Sequence, residues 1–136
     1  MTLFLFQKKV IFSARRTSGG SFNGTIAYDH IDVNFGGGLQ SNGKFIAPES
    51  GTYGFTFSGT TGSAKSSTSV RVYRNGHGHH YIWDGNDEDP FNNINGSWMM
   101  KLTKGQVVHL DVTGGYLFAN SAFPVIFTGN LLMLNE

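Results

Sequence analysis

The chain has 136 residues, including 19 glycines and no cysteine, and its formal net charge at pH 7 is +1. This length corresponds to a single domain that can fold around one core. The lack of cysteine excludes a disulfide scaffold and a thiolate metal site. The ten lysines and arginines are scattered, so they form no basic stripe for nucleic acid. The longest apolar runs fall far short of the ~20 residues that a membrane-spanning helix needs.

The N-terminus is predicted to be an extension, residues 1–9, that precedes one globular domain, residues 10–136. The extension has a short apolar patch followed by Lys8 and Lys9. A secretory signal has the opposite order, with basic residues before a longer apolar stretch. Two interpretations remain open here: a protein that is not secreted, or a mature chain whose leader has been removed.

Alternation of apolar and polar residues at a period of two predicts short strands throughout the domain. The first elements are a strand Val10–Arg15, a polar loop Thr17–Gly24 and a strand Ile26–Phe35. Further strands are predicted at Lys44–Ala47, Thr52–Ser58, Ser69–Arg74, His79–Trp83, Ser97–Leu102, the buried row Val108–Val112, and Phe123–Leu134. No window shows an apolar stripe at helical spacing, so the pattern predicts an all-β sandwich.

The clearest strand is the one that follows Gly51. Its Tyr53, Phe55 and Phe57 alternate with small residues, which is typical of a strand with one face in a core. Gly59–Thr68 is expected to be a flexible connection, and Gly114 is expected to open a loop that carries Tyr116 and Phe118. Asn75-Gly76 is the strongest two-residue hairpin signal.

The stretch from Asn34 to Phe55 reads N-x-G…GKF-x-x-P-x-x-G-x-Y-x-F. It resembles the signature of the C1q-like globular-head family, within the C1q and tumour-necrosis-factor-like superfamily. Val70–Gly76, Gly96–Val107 and the closing F-T-G-N-L-L of Phe127–Leu132 are also similar to family segments. The resemblance implies a secreted, ten-stranded jelly-roll β-sandwich that assembles as a homotrimer, with one sheet of each subunit lining the three-fold axis.

The sequence departs from the family pattern at the expected axis. Gly54 and Asn130 stand where relatives usually carry aromatic residues, which predicts looser or wetter axial packing. Gln106 replaces the aspartate of the family's G-D-x-V segment. No collagen-like repeat precedes the domain in this sequence.

An acidic loop follows the predicted strand His79–Trp83. It contains four of the nine acidic residues: Asp84, Asp87, Glu88 and Asp89. One interpretation is a solvated hairpin tip. The other is calcium, because the resemblance places the calcium-binding positions of relatives at Asp84 and Asn92. One carboxylate from each of three subunits would supply three of the six to eight oxygens that calcium takes, although an amide in place of a second carboxylate should weaken the site.

Two histidines beyond the hairpin form a weaker candidate metal site. His77 and His79 share a face of an extended strand and could chelate zinc or nickel. A zinc site needs three or four ligands, so a polar hairpin edge is the favoured interpretation.

Exposed aromatic side chains anchor interfaces and stack on sugars. Tyr81, Trp83, Tyr116 and Phe118, together with Asp87, are therefore the predicted ligand-binding residues. Trp98 alternates with Met100 and Leu102 and is assigned to the core.

No catalytic or phosphate-binding motif is present, so the chain is predicted to be a non-enzyme. One predicted function is trimeric recognition of carbohydrate or another surface pattern, as in innate immunity, with weak single sites multiplied by avidity. The alternative is a trimeric secreted ligand or matrix-assembly protein that docks on a protein receptor at the grooves between subunits. Apart from a possible calcium ion, no cofactor is expected.

Overall fold

A computed structural model describes residues 8–62, 67–86 and 88–135. This part of the chain forms ten strands and no helix. The strands are β1 Ile11–Arg16, β2 Gly20–Thr25, β3 His30–Phe35, β4 Phe45–Ile46, β5 Gly51–Thr61, β6 Thr68–Arg74, β7 His77–Asp84, β8 Asn93–Leu102, β9 Val107–Ala119 and β10 Val125–Leu134. The predicted all-β class is confirmed.

The strands form two antiparallel groups. In the first layer, β3, β1, β10 and β5 pair in that order, and β8 pairs with the other edge of β5. In the second layer, β9 pairs with β6, β2 and β4, and β7 extends the layer beyond β6. Among the described strands, the two layers pair with each other at one end alone, where Thr60 and Thr61 pair with Phe118 and Leu117. This arrangement is a jelly-roll sandwich.

Aromatic rings hold the two layers together. Phe12 of β1 lies 4.9 Å from Phe45 of β4 between ring centroids, and Phe45 lies 5.5 Å from Tyr53 of β5. Tyr53, Phe55 and Phe57 are at most 2% exposed, which confirms the predicted core-facing row. Each such residue moves a large apolar area out of water, the main stabilising contribution in folding.

The predicted hairpin at Asn75-Gly76 is confirmed. Both residues have positive φ angles, 52° and 82°, as a two-residue turn of this handedness requires. The turn joins β6 to β7, which begins at His77 and pairs with β6 along its length.

Two predicted boundaries in the N-terminal half are wrong. Thr17–Gly24 was expected to be a polar loop, but Gly20–Thr25 forms β2 and pairs with β9. The predicted strand Ile26–Phe35 begins only at His30. β2 lacks apolar alternation, since Phe22 is its one buried residue, so hydrogen bonding to β9 contributes more than burial to holding it as a strand.

Two predicted connections are also wrong. β5 continues through Thr61 into the expected flexible segment, of which residues 63–66 lie outside the described part of the chain. Gly114 does not open a loop, because β9 runs on to Ala119. The positive φ of Gly115, 63°, accompanies a change of partner along one edge of β9, from β6 at Gly114 to β5 at Leu117. β2 pairs with β9 on both sides of this point, at Val112 and at Leu117.

Gly129 on β10 provides a test of the aromatic core. A Cβ atom there would overlap the Phe12 ring and lie 2.9 Å from Phe55 Cδ1, so we expect Gly129→Ala to lower the free energy of unfolding by about 1–3 kcal/mol through overpacking. Gly59→Ala is the matched control, because its Cβ would make only ordinary contacts of 3.4 Å or more. Urea unfolding of both variants measures the difference, and equal losses would contradict the packing argument.

Candidate functional site

The predicted ligand-binding aromatics lie on two strands of the second layer. Tyr81 and Trp83 project from β7, at the edge of that layer, and are 56% and 68% exposed. Tyr116 and Phe118 lie on β9 rather than in a loop, and Phe118 packs against Phe91 instead of joining the β7 pair. Asp87 lies outside the described residues.

Tyr81 belongs to a row of planar groups on the outer face of the second layer. The Arg71 guanidinium lies 5.1 Å from the Tyr81 ring and 5.3 Å from the Tyr73 ring. Tyr73 in turn stacks on His109, with centroids 4.7 Å apart and planes 2° from parallel. A Cβ atom at Gly78 would overlap the guanidinium, so the glycine makes room for Arg71. Sequence analysis missed this row, because its members come from three strands.

A cavity of about 320 Å³ opens where the two layers meet. Its walls are three phenylalanines and three neutral polar residues: Phe91, Phe118, Phe123, Thr60, Asn93 and Asn120. Of these, only Phe118 was predicted. Phe91 is an isolated aromatic in a polar connection, and that isolation is the signal in the sequence that could have identified it. Phe123 was predicted to begin the last strand, but β10 begins only at Val125. Phe91 and Phe123 are 51% and 58% exposed.

The histidines pair differently from the expected arrangement. His79 Nδ1 lies 2.7 Å from His80 Nδ1, whereas His77 is exposed near the hairpin turn. His80 also packs edge-on against Trp98 of β8, at 5.0 Å, and Trp98 stacks on Phe55. Across the described ranges, no group of three or more metal-ligating side chains forms. A zinc site at His77 and His79 therefore stays a prediction that requires ligands from elsewhere.

The predicted calcium residues flank the connection between β7 and β8. Asp84 Oδ1 accepts a hydrogen bond from the backbone N–H of Asn86 at 3.1 Å, whereas Oδ2 is buried without a partner among the described residues. Asn92 Nδ2 donates to the carbonyl oxygen of Asp89 at 2.7 Å, a bond that engages the amide nitrogen and not the amide oxygen of Asn92. These two oxygens suit a hard cation, but one chain does not supply six ligands.

The outer face of the first layer is apolar around a hollow. Residues directly opposite each other on neighbouring strands share a face, and one such row runs Phe35, Ile11, Asn130, Gly54, Met99. Phe35 and Met99 are 62% and 68% exposed, and Leu132 beside Gly54 is 47% exposed. A hollow of about 340 Å³ lies between Gly54, Asn130 and Trp98.

The strand arrangement is an all-β jelly roll of the kind found in C1q and tumour-necrosis-factor proteins. The family model described as "C1q domain" matches residues 11–132. The chain belongs to the C1q domain family. No curated protein matches its sequence.

Solved structures share this fold at low sequence identity. The globular domain of the zebrafish complement 1qA protein is 19% identical, covers 94% of this chain and 100% of its own, and has a TM-score of 0.75. The Eiger TNF structure from S. frugiperda is 12% identical, covers 96% of each chain and has a TM-score of 0.72. Murine APRIL at pH 5.0 is 12% identical, covers 89% and 98%, and has a TM-score of 0.68.

Among the described residues, no helix has the length and hydropathy needed to cross a bilayer.

The contact between His80 and Trp98 predicts a pH dependence of stability. Partial burial lowers the pKa of His80, and neighbouring His79 lowers it further. The unfolded chain therefore binds more protons than the folded chain below about pH 6.5, and folded stability decreases as the pH falls through that range.

His80→Gln should reduce this loss, and His77→Gln, an exposed position on the same strand, should not. Urea midpoints at about pH 7.5 and about pH 5.5 measure the effect. An unchanged pH dependence in His80→Gln would contradict the assignment to His80.

Proposed function

We propose that this protein is a secreted, non-enzymatic trimer that recognises carbohydrate or another repeated surface pattern. C1q and TNF-like domains in general form trimers and bind ligands, and proteins that carry them are typically extracellular. The observation that carries the proposal for this chain is the exposed apolar face of its first layer. Large apolar side chains such as Phe35, Met99 and Met133 are 62–69% exposed there, and apolar patches of this kind mark interfaces.

The proposed trimer packs the first layers of three chains around the three-fold axis. Phe35, Ile11 and Val33 lie together at the β3–β1 side of this face, whereas Met99 lies on β8 at the opposite edge. Each chain therefore offers two apolar edges to its neighbours. Gly54 and Asn130 leave the hollow between those edges, which supports the expectation of a looser or wetter axis.

Recognition in this proposal uses aromatic groups that lie away from the first-layer face. Tyr81, Trp83 and Tyr116 are 40–68% exposed on the second layer, where trimer formation leaves them accessible. A trimer presents three copies of each group. Linked weak sites bind a repetitive surface more tightly than a single site does, because later binding events are effectively intramolecular.

A second candidate function is docking on a protein receptor or matrix partner. The observation that favours it is the position of Tyr81 and Trp83 on β7, which among the described strands pairs with β6 alone and so lies at an edge of its layer. Tyrosine and tryptophan are enriched among the residues that carry binding energy in protein interfaces. Loss of partner binding in Trp83→Ala, without any sugar binding in the wild type, would favour this alternative.

Calcium is part of the proposal. Asp84 from three chains would supply the charged oxygens, and Asn92 would supply neutral ones. Asp84 Oδ2 is buried and has no hydrogen-bond partner within the part of the chain that the structure describes. This supports the assignment, because a buried carboxylate oxygen without a donor is costly unless a cation or proton partners it.

The trimer is tested by light scattering of Leu132→Asp. Three carboxylates placed on an apolar interface would repel one another and lose hydration, so we expect the wild type to have three times the mass of one chain and the variant to have the mass of one. Trp83→Asp is the control, since Trp83 lies on the second layer and is 68% exposed. A monomeric wild type would overturn the trimer, and a trimeric Leu132→Asp would place the interface elsewhere.

The calcium assignment is tested by thermal unfolding in calcium and in chelator. Calcium should raise the unfolding midpoint of the wild type, because an ion that binds only the folded state stabilises it by about 2.7 kcal/mol at a hundred times its Kd. Asp84→Asn should abolish the rise, whereas Glu88→Gln, in the same loop, should retain it. The same rise in Asp84→Asn would contradict a site at Asp84.

A further inference from the structure

The cavity lined by Phe91, Phe118 and Phe123 is built from three separate parts of the chain. Thr60 comes from β5, Asn93 begins β8, and Phe118 lies near the end of β9. These strands meet where β5 pairs with β9 at Thr60 and Phe118. Two walls of the cavity therefore stand on the hydrogen-bonded junction between the layers, which gives a binding site a rigid base.

The connecting segments hold the remaining walls in place. Phe91 has a φ of 61°, a left-handed conformation that a bulky residue adopts only where the surrounding structure enforces it. Its ring meets Phe118 edge-to-face at 5.3 Å. Asn120 Oδ1 accepts hydrogen bonds from the backbone N–H groups of Ala122 and Phe123, at 3.0 and 2.7 Å, and these bonds fix the turn that carries the Phe123 ring.

Polar groups at the cavity offer hydrogen-bonding capacity to an occupant. In the turn, Asn120 is hydrogen-bonded through Oδ1, and its Nδ2 group carries two further donors. Asn93 and Thr60 add a second amide and a hydroxyl group to the walls. A purely apolar occupant would bury these groups without partners, which is unfavourable, so the chemistry of the walls favours an occupant with hydroxyl or amide groups of its own.

Among the described residues that line the cavity, none is a lysine, arginine, aspartate or glutamate. A charged ligand would lose hydration there without gaining an opposite charge. The volume, about 320 Å³, lies at the lower end of the ~300–1,000 Å³ range of small-ligand pockets and suits a single ring rather than a folded segment.

We propose that this cavity binds one neutral sugar ring, with the C–H face of the pyranose against the phenyl rings and its hydroxyls bonded to Asn93, Asn120 and Thr60. This assignment rests on the proposed function. It gives carbohydrate recognition a defined site and a preference for neutral over acidic sugars. Neutral pyranosides bind, and acidic sugars do not. In a trimer, three such cavities serve one multivalent surface.

The test is saturation-transfer NMR and calorimetry of the full chain with methyl α-mannoside, methyl β-glucoside, methyl β-galactoside, N-acetylglucosamine and glucuronic acid. At least one neutral sugar should bind, and glucuronic acid should bind about tenfold more weakly or not at all, since it brings an unpaired charge to an uncharged site. Tighter binding of glucuronic acid would overturn the proposed specificity.

Two variants of Phe123 separate a sugar from a merely apolar ligand. Phe123→Ala should weaken binding about tenfold, and Phe123→Leu should weaken it nearly as much, because leucine retains apolar bulk but lacks a flat face. Phe123 is 58% exposed, so both variants should unfold at the wild-type midpoint. Binding unchanged in Phe123→Leu would overturn stacking as the mode of recognition.

Asn93→Ala, Asn95→Ala and Trp83→Ala complete the design. Asn93→Ala should weaken binding several-fold through lost hydrogen bonds. Asn95→Ala, at an exposed position on the same strand that does not line the cavity, should leave binding unchanged. Trp83→Ala reports separately on the aromatic groups of β7. Loss in Trp83→Ala with none in the Phe123 variants would overturn the cavity site and keep carbohydrate recognition. No binding of any neutral sugar by the wild type would overturn both.

Discussion

The packing of Phe12 against three other rings is the constraint on which the rest of the structure depends. Phe45, Phe127 and Phe55 lie 4.9, 4.9 and 6.2 Å from it between centroids, and they come from both layers. Each buried phenylalanine contributes on the order of 1.5–3 kcal/mol. Phe12 can occupy this position only because Gly129 has no side chain. Together these rings set the spacing of the sandwich and fix which face of each strand points inward.

Once Phe55 and Phe127 point inward, the period of two places their neighbours on the opposite face of the first layer. That face combines exposed apolar side chains at its edges, Phe35 and Met99 among them, with a hollow at Gly54. The core and the proposed trimer face are thus two consequences of the same alternation. A one-residue slip of β5 or β10 would exchange them.

The two ends of the sandwich differ in how the layers are joined. At one end, β5 and β9 are hydrogen-bonded, and this junction supports the cavity with Phe118 in its wall. Along the β7–β8 side, the layers meet through side chains, and His80 against Trp98 is one such contact. The hydrogen-bonded β5–β9 junction is rigid and suits a binding site. The β7–β8 side depends on the charge of the His80 imidazole, so acid should loosen the sandwich there.

The sequence alone determined the all-β class, the family, the aromatic core row of β5 and the Asn75-Gly76 turn, because alternation and turn chemistry are local. It also identified Phe118 as a candidate ligand contact. Only the tertiary structure decided that Gly20–Thr25 is a strand, since pairing with a distant β9 holds it. The same holds for the cavity, which joins Phe91 and Phe123 to Phe118. Local patterns specify which face of a strand is buried. Strand pairing decides which residues that are far apart in the chain become neighbours in space.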